Sequence, residues 1–233
     1  MLPERDERMQ KNYQGYRLDW ENLRREWPLW VWMAVLLLAA VVVYPHLPER
    51  VPIHWNFQGQ VDGYGSRAFG AFFAPLLCVG IYLLMLFLPL IDPKRQNYAR
   101  FAGAYRLLRW GMVLFFSGLY LVTLLVSLGY LLDVGALVKA GVGMLLMLIG
   151  NFMGQFRHNY FVGIRTPWTL ASEEVWDRTH RLSARLWVAA GLLLIALSPV
   201  GAVWAAYAYF ALLMTVVFVP IVYSYWRFQK SAG

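Results

Sequence analysis

Residues 110–153 read WGMVLFFSGLYLVTLLVSLGYLLDVGALVKAGVGMLLMLIGNFM, two apolar runs with only two charged side chains, Asp133 and Lys139. Each run has about the 20 apolar residues that an α-helix needs to cross a bilayer. Asp133 lies between the runs and is followed by Gly135, where the chain is expected to turn. The stretch therefore predicts two membrane-spanning helices joined by a short loop.

Four further apolar runs surround this pair. They cover residues 29–47, 69–91, 184–204 and 206–226. Only 15% of the residues are charged, against about 25% in soluble proteins. The run that begins at Leu29 ends without a small-residue cleavage site, so it is expected to remain as a span. We predict an all-α membrane protein with six transmembrane helices in residues 28–228 and a short tail, 229–233.

Lys and Arg residues predict the orientation, because short loops that carry them stay on the cytoplasmic side of the membrane. Of 21 such residues, all but Arg50, Arg67 and Lys139 fall in segments on one side of the six spans. These segments are the two terminal segments, the loop before the third run, which includes Arg109, and the loop before the fifth. We therefore expect both termini to be cytoplasmic, with an external loop at 48–67 and a cytoplasmic loop at 154–183.

The net charge of +8 follows from this distribution. Basic side chains at the inner face are expected to contact anionic lipid headgroups, so membrane lipid is one predicted partner. They form no nucleic-acid-binding motif, and no nucleic acid is expected as a partner.

The N-terminal segment, 1–27, has aromatic and apolar residues at helical spacing. Tyr16, Trp20, Leu23 and Trp27 would share one face of a helix, which predicts a cytoplasmic amphipathic helix at the interface. A frayed tail with aromatic anchors is the alternative.

The external loop reads LPERVPIHWNFQGQVDGYGSR at residues 47–67. Val51, Ile53, Trp55 and Phe57 alternate with more polar positions, as in a strand. Glycines at 59, 63 and 65 can adopt positive φ, so we expect a compact, ordered loop. Hydrogen bonding within the loop, contact with a ligand or partner, and a metal half-site are the three hypotheses for its polar side chains. The candidate residues are Pro52, His54, Asn56, Gly59, Asp62 and Gly63.

Residues 159–180, NYFVGIRTPWTLASEEVWDRTH, form a polar segment that we call the island. Thr166 and Pro167 are typical of a helix start, which is expected between 166 and 172. In the helix that follows, one predicted face carries aromatic residues and histidine and the opposite face carries arginines. The first face holds Trp176, His180, Ser183 and Trp187, and the second holds Arg178, Arg181 and Arg185. Ion pairs at i,i+4 spacing are expected for Glu174 with Arg178 and for Asp177 with Arg181.

Two interpretations of the island remain open. In the first, its arginines extend to lipid headgroups and its tryptophans anchor the helix at the interface. In the second, residues 163–168 form a rigid turn under the bundle, with Arg165 and His180 binding backbone carbonyls, a carboxylate or a protein partner.

Catalytic motifs of the HExxH, GxSxG and phosphate-loop types are missing from the sequence, so we do not expect an enzyme, a cofactor or a resident metal. The single cysteine, Cys78, excludes an intramolecular disulfide. A transporter of small solutes or peptides is an alternative, although no charged residue lies near the middle of a predicted span. A membrane-embedded hydrolase or metalloenzyme would require His54 to meet Asp62, or His158 and His180 to meet Glu173.

These motifs resemble the SdpI family of bacterial membrane proteins. The resemblance lies in the island's pattern N-Y-x-x-G-I-R-T-P-W-T-L, followed by E-x-V-W and T-H-R. The external pattern P-x-H-x-N-x-x-G-x-x-D-G resembles the small domain of unknown function that accompanies the family. The island residues that carry the resemblance are Asn159, Tyr160, Gly163, Arg165, Thr166, Pro167, Trp168, Trp176, Thr179, His180 and Arg181.

The resemblance implies a multi-pass protein of the bacterial inner membrane. It implies immunity to a secreted, membrane-active toxin peptide, and signal transduction in which a cytoplasmic repressor or other regulator is held at the membrane. In that case the external loop would contact the toxin, and the island would be a docking or bracing element on the cytoplasmic side.

Overall fold

A computed structural model describes residues 16, 18–56 and 59–232 of the chain. Within these residues six helices are long and apolar enough to cross a membrane, which confirms the predicted fold class. They are α2 (Trp27–Val43), α3 (Arg67–Phe87), α4 (Ala102–Ser127), α5 (Val134–Met153), α7 (Glu173–Leu197) and α8 (Val203–Ala232). The smaller elements are α1 (Trp20–Arg24), α6 (Pro167–Ala171) and the strands β1 (Arg50–Trp55) and β2 (Val61–Ser66).

The two polar segments lie at opposite ends of the bundle. At one end, the turn of the β1–β2 hairpin lies against the start of α5: a Cβ added to Gly59 would be 3.7 Å from the backbone nitrogen of Gly135. At the other end, the Asn97 side-chain amide donates to the carbonyl of His158 over 2.7 Å. The Thr166 hydroxyl meets that of Ser224, on α8, at 3.0 Å. The island therefore packs on the α3–α4 connection and on the last helix.

Close packing of α5 against α7 depends on small residues. A Cβ added to Gly150 would lie 2.9 Å from the Cβ of Trp187, and one added to Gly143 would lie 2.8 Å from the carbonyl oxygen of Gly191. Side chains at these positions would force the two backbones apart, as is typical of helix contacts in membranes. The packing fixes the helix that carries His180 against the rest of the bundle.

The predicted loop position of Arg109 is wrong. Helix α4 begins at Ala102, so Arg109 lies within the helix, with its side chain only 5% exposed. Its guanidinium donates to Glu26 over 2.5 Å, and the indole of Trp110 donates to the second oxygen of the same carboxylate over 2.7 Å. Glu26 immediately precedes α2. A buried arginine is tolerated here because the carboxylate of Glu26, remote in sequence but adjacent in space, neutralises it. The spacing of apolar residues does not predict that pairing.

The N-terminal segment is described at residues 16 and 18–27, where its helical parts are the single turn α1 and the start of α2 at Trp27. The four predicted residues do not share one environment, because Trp20 is exposed while Leu23 packs on the core. Tyr16 precedes α1; its ring contacts those of Tyr98 and Tyr105, and its hydroxyl donates to the carbonyl of Leu86 over 3.0 Å. Burial raises the pKa of the Tyr16 phenol. These tertiary contacts hold Tyr16 outside the helical path, and the positions before it lie outside the described residues.

Candidate functional site

The loop motif between the first two spans forms an antiparallel β-hairpin. Val51 pairs with Gly65 and Pro52 with Tyr64, which confirms the strand-like pattern, and Val51 is fully buried beneath the hairpin. At the turn, the backbone N–H of Gln60 donates to the side-chain oxygen of Asn56 over 2.9 Å. An asparagine that accepts from the backbone in this way stabilises a tight turn. Phe57, the last residue of the predicted alternation, lies outside the described residues.

The hairpin glycines have different roles, and only one of the three adopts the positive φ that glycine allows. Gly59 has φ +77° at the turn, where residues with a Cβ are disfavoured. Gly63 and Gly65 do not have positive φ. Gly63 faces His54 across the hairpin, and a Cβ added to it would lie 2.8 Å from the Cβ of His54. It is therefore required for close approach of the strands.

His54 and Asp62 form an exposed pair on the hairpin. Nδ1 of His54 lies 2.5 Å from a carboxylate oxygen of Asp62, and the two side chains are 71% and 43% exposed. Of the three hypotheses for the loop, hydrogen bonding is thus present, and the exposure leaves the pair open to a partner. An exposed pair contributes at most about 1 kcal/mol to stability. The described part of the chain contains no group of three or more His, Cys, Asp or Glu side chains that would hold a metal.

In the island, Asn159 is fully buried and organises the first turn. Its side-chain oxygen accepts from the backbone N–H groups of Phe161 and Val162, at 2.9 and 2.7 Å. Its amide nitrogen donates to the carbonyls of Arg157 and Val162, at 2.8 and 2.9 Å. All the hydrogen-bonding capacity of this side chain is used inside the protein, as burial of a polar group requires.

Asp92 and Tyr98 lie in the α3–α4 connection and belong to the same hydrogen-bond network as Asn159. Neither was predicted from the sequence as a site residue. The Tyr98 hydroxyl donates to Asp92 over 3.0 Å, and the same carboxylate oxygen accepts from the backbone N–H of Tyr160 over 3.0 Å. The other oxygen of Asp92 accepts from the backbone N–H of Lys94 over 2.7 Å. The Asp-Pro pair at 92–93 predicts a turn. It does not predict that Asp92 binds the backbone of a residue some 70 positions away.

His180 braces the middle of the island. Nε2 accepts from the backbone N–H of Ile164 over 3.0 Å, and Nδ1 lies 2.8 Å from the carbonyl oxygen of Trp176. Because a carbonyl only accepts, Nδ1 carries the proton and the ring is neutral. Gly163, with φ +113°, leaves room for the ring, since a Cβ there would collide with Nε2. Trp176 stacks on His180 with ring centroids 4.0 Å apart.

The helix start predicted in the island is confirmed. Thr166 caps α6 with a capping box completed by Thr169, and Ser172 caps α7. Thr166 is buried and also bonds to Ser224, as described above. Trp168 packs edge-on against Tyr225 of α8, while Pro167 is exposed. The local signal for a helix start thus coincides with the contact that attaches the island to the last helix.

The two faces of α7 follow the prediction. Trp176, Thr179, His180 and Ser183 are buried, whereas Arg178, Arg181 and Arg185 are exposed. The Glu174–Arg178 pair forms at 2.8 Å. The Asp177–Arg181 ion pair does not form: the carboxylate of Asp177 lies 3.8 Å from Arg157, and Arg181 donates to the backbone carbonyl of Asp177 instead. A nearby loop arginine competes for the carboxylate, which helical spacing does not reveal.

Arg165 and His180 do not share a ligand. Arg165 is exposed and donates to the carbonyl of Tyr160 over 2.9 Å, so the expected contact with a backbone carbonyl is present for this side chain. His180 is only 1% exposed, and both of its nitrogens bond within the island. The island therefore has a bracing interior and a basic exterior.

A polar cavity of about 360 Å³ lies beside the island. The side chains around it are Asn97, Arg100, Arg157, His158, Glu173 and Asp177. Lys94 lies 2.8 Å from Nδ1 of His158 and 3.3 Å from the carboxylate of Glu173. His158 and Glu173 are thus brought together, at 3.6 Å, but His180 is not part of this cluster. Of the two convergences named for a hydrolase or metalloenzyme, that of His158 and His180 with Glu173 does not occur, and His54 meets Asp62 only as a pair.

Comparison with known proteins gives matches for both segments. Residues 155–224 match the SdpI/YfhL protein family, and residues 31–79 match a domain of unknown function (DUF1648). The chain is 29% identical over 196 residues to "Immunity protein SdpI" of Bacillus subtilis (strain 168), covering 84% of this chain and 92% of that protein. No solved structure matches the chain. The resemblance drawn from the motifs is thereby confirmed: this multi-pass membrane protein is similar to the SdpI/YfhL family over residues 155–224 and to an immunity protein along most of its length.

Proposed function

We propose that this protein protects its own cell against a membrane-active peptide toxin. The observation that carries the proposal is the similarity to an immunity protein along 84% of the chain. An immunity function needs a surface that meets the toxin and does not require a catalytic site. The hairpin offers such a surface, because His54 and Asp62 are exposed and contribute little to the fold.

The proposed orientation puts the hairpin outside the cell and the island inside, in the bacterial inner membrane. The distribution of Lys and Arg supports it: the hairpin end of the bundle contains only Arg50, Arg67 and Lys139. A toxin arriving from outside would then meet the hairpin first.

We further propose that the basic exterior of the island holds a cytoplasmic regulator. Arg181 and Arg185 are exposed on the outer face of α7 and have no described carboxylate as an ion-pair partner. A regulator with an acidic surface would complement this face. The buried face of the same helix would keep the docking surface rigid.

The immunity proposal is tested in Bacillus subtilis cells that lack their own SdpI and are exposed to medium from toxin-producing wild-type cells. Expression of this chain should restore survival. His54→Ala combined with Asp62→Asn should lose protection while membrane insertion is retained, because the pair is exposed. Val219→Trp, an exposed position on α8, is the control and should protect fully. Unchanged killing despite confirmed insertion of the natural chain would contradict the proposal.

Orientation is tested separately by cysteine labelling. Cys78 is buried, and Cys78→Ala removes the only native thiol. Tyr64→Cys on the hairpin and Gln96→Cys in the α3–α4 connection then give exposed single thiols. In intact cells a membrane-impermeant maleimide should label position 64 and not 96. The reverse pattern would overturn the orientation without affecting the immunity test.

If a regulator docks on the basic face of α7, substitutions there should change the transcriptional response to the toxin without changing survival. Arg181→Ala with Arg185→Ala should leave survival unchanged and abolish the transcriptional response to the toxin, measured by RNA sequencing of the same cells. Arg178→Ala is the control, since Arg178 is already paired with Glu174. An unchanged response in the double variant would exclude this face as the docking surface.

A further inference from the structure

An apolar groove of about 480 Å³ lies at the island end of the bundle. Met85 of α3, Met112 of α4, Met153 of α5 and Val217 of α8 line it. Residues 161–166 of the island also line it. Flexible methionine side chains suit a surface that must adapt to a mobile apolar ligand.

The groove is bordered by side chains that face the membrane. In the described residues α8 packs on α6 and α7 and makes no extensive contact with α3 or α4. Side chains of α3, α4 and α8 nevertheless all line the groove. Val217 and Ile221 line it from α8 and remain 46% and 36% exposed. Val217 and Ile221 belong to a helix long and apolar enough to cross a membrane, whose exposed apolar side chains would contact lipid hydrocarbon, and an apolar gap left empty there would forfeit dispersion contacts. Hydrocarbon from the bilayer is therefore its natural occupant.

Among the described residues, the one cationic side chain that lines this groove is that of Arg165, which is exposed. Its Nη1 donates to the carbonyl of Tyr160, and no described carboxylate forms an ion pair with it. Its remaining guanidinium donors have the planar geometry that matches a phosphate group.

We propose that the groove binds an anionic phospholipid, with one acyl chain between α3, α4 and α8 and the headgroup phosphate on Arg165. The volume favours a hydrocarbon chain over a peptide helix. A helix is about 10 Å wide with its side chains, so 480 Å³ accommodates only about one turn of it. This site is separate from the hairpin and independent of the proposed immunity function.

Native mass spectrometry of the detergent-purified protein tests the acyl-chain contact. At least one molecule of added phosphatidylglycerol should remain bound to the natural chain. Val217→Trp fills the groove and should eliminate retention, whereas Val219→Trp, also exposed on α8 but not lining the groove, should retain it. Circular dichroism of each variant confirms folding. Equal retention by both tryptophan variants would overturn the proposal.

The headgroup contact is tested with lipids that share acyl chains. Arg165→Gln should reduce phosphatidylglycerol retention about tenfold, the order expected for loss of a charge-assisted contact, and leave diacylglycerol, which lacks the phosphate, unchanged. Arg165→Lys should recover part of the difference. Identical retention of both lipids by the natural chain would exclude a phosphate-specific site. If Val217→Trp abolishes toxin protection while phosphatidylglycerol stays bound, the groove holds a peptide and the lipid assignment is wrong.

Discussion

The hairpin and the island each contain a histidine, a glycine with positive φ and a hydroxyl that caps a helix, but they use these residues differently. The side chain of His54 is 71% exposed and bonds to one exposed carboxylate. His180 is 1% exposed and bonds to the backbone through both nitrogens. The same residue types therefore produce a surface in one segment and an internal brace in the other.

This difference indicates that the interior of the island contributes to stability, whereas the exposed hairpin is available for recognition. A buried polar group must be fully paired, so the island tolerates little change in its interior. The hairpin exchanges its exposed hydrogen bonds with water at small cost, which leaves it free to exchange them with a partner. Substitutions in the hairpin should affect recognition, and substitutions inside the island should affect folding.

The largest contrast is expected between the two glycines. Gly163→Ala should lower the free energy of unfolding by at least about 3 kcal/mol, because its φ is +113° and the new methyl group would displace His180. Gly59→Ala should cost only about 1–2 kcal/mol, since its added Cβ would lie at an ordinary contact distance, 3.7 Å, from the backbone nitrogen of Gly135. Unfolding by SDS titration in mixed micelles, followed by tryptophan fluorescence, measures both. Equal losses would show that strain in φ alone governs both sites.

The histidines provide the second contrast. His180→Ala should destabilise the protein by about 2–4 kcal/mol, because it leaves the Ile164 N–H and the Trp176 carbonyl without their partner and opens a cavity. His54→Ala should cost about 0–1 kcal/mol. The same SDS titration applies, with toxin survival as a second readout that only His54→Ala should impair. Loss of survival with unchanged stability in His180→Ala would assign the island a direct role in protection.

The smallest contrast concerns the helix caps. Thr166→Ala should cost about 1–2 kcal/mol, because it removes the cap of α6 and the bond to Ser224. Ser66→Ala removes only the cap of α3 and should cost about 0.5–1 kcal/mol. Ser224→Ala separates the two contributions of Thr166 in a double-mutant cycle. Additive losses for Thr166→Ala and Ser224→Ala would mean that their hydroxyl contact contributes nothing.

Features with short sequence separation were predictable. The start of α6 at Thr166 and the Glu174–Arg178 pair depend on residues within one helical turn of each other. The strand-like period at residue 51 onward and an ordered loop were predicted, whereas the pairing of β1 with β2, the bulge near His54 and the close approach of Gly63 were not. Such patterns are visible because helix and strand periods are fixed.

Contacts between distant segments escaped prediction. Glu26 and Arg109 are 83 residues apart, and Asp92 meets the backbone of Tyr160 across 68 residues. Each side chain considered alone resembles an ordinary charged residue near a membrane surface. Only the arrangement of the helices shows that these charged groups are buried and which partners bind them.

By itself, the sequence determined six apolar helices, two polar segments at opposite ends and a helix with one buried and one basic face, because bilayer thickness and helical periodicity act on local composition. The tertiary structure alone decided that His180 is an internal brace, that His54 is exposed and that Arg109 is paired inside the bundle. Burial and hydrogen-bond partners depend on which helices meet, and that is set by long-range packing such as the glycine contacts between α5 and α7.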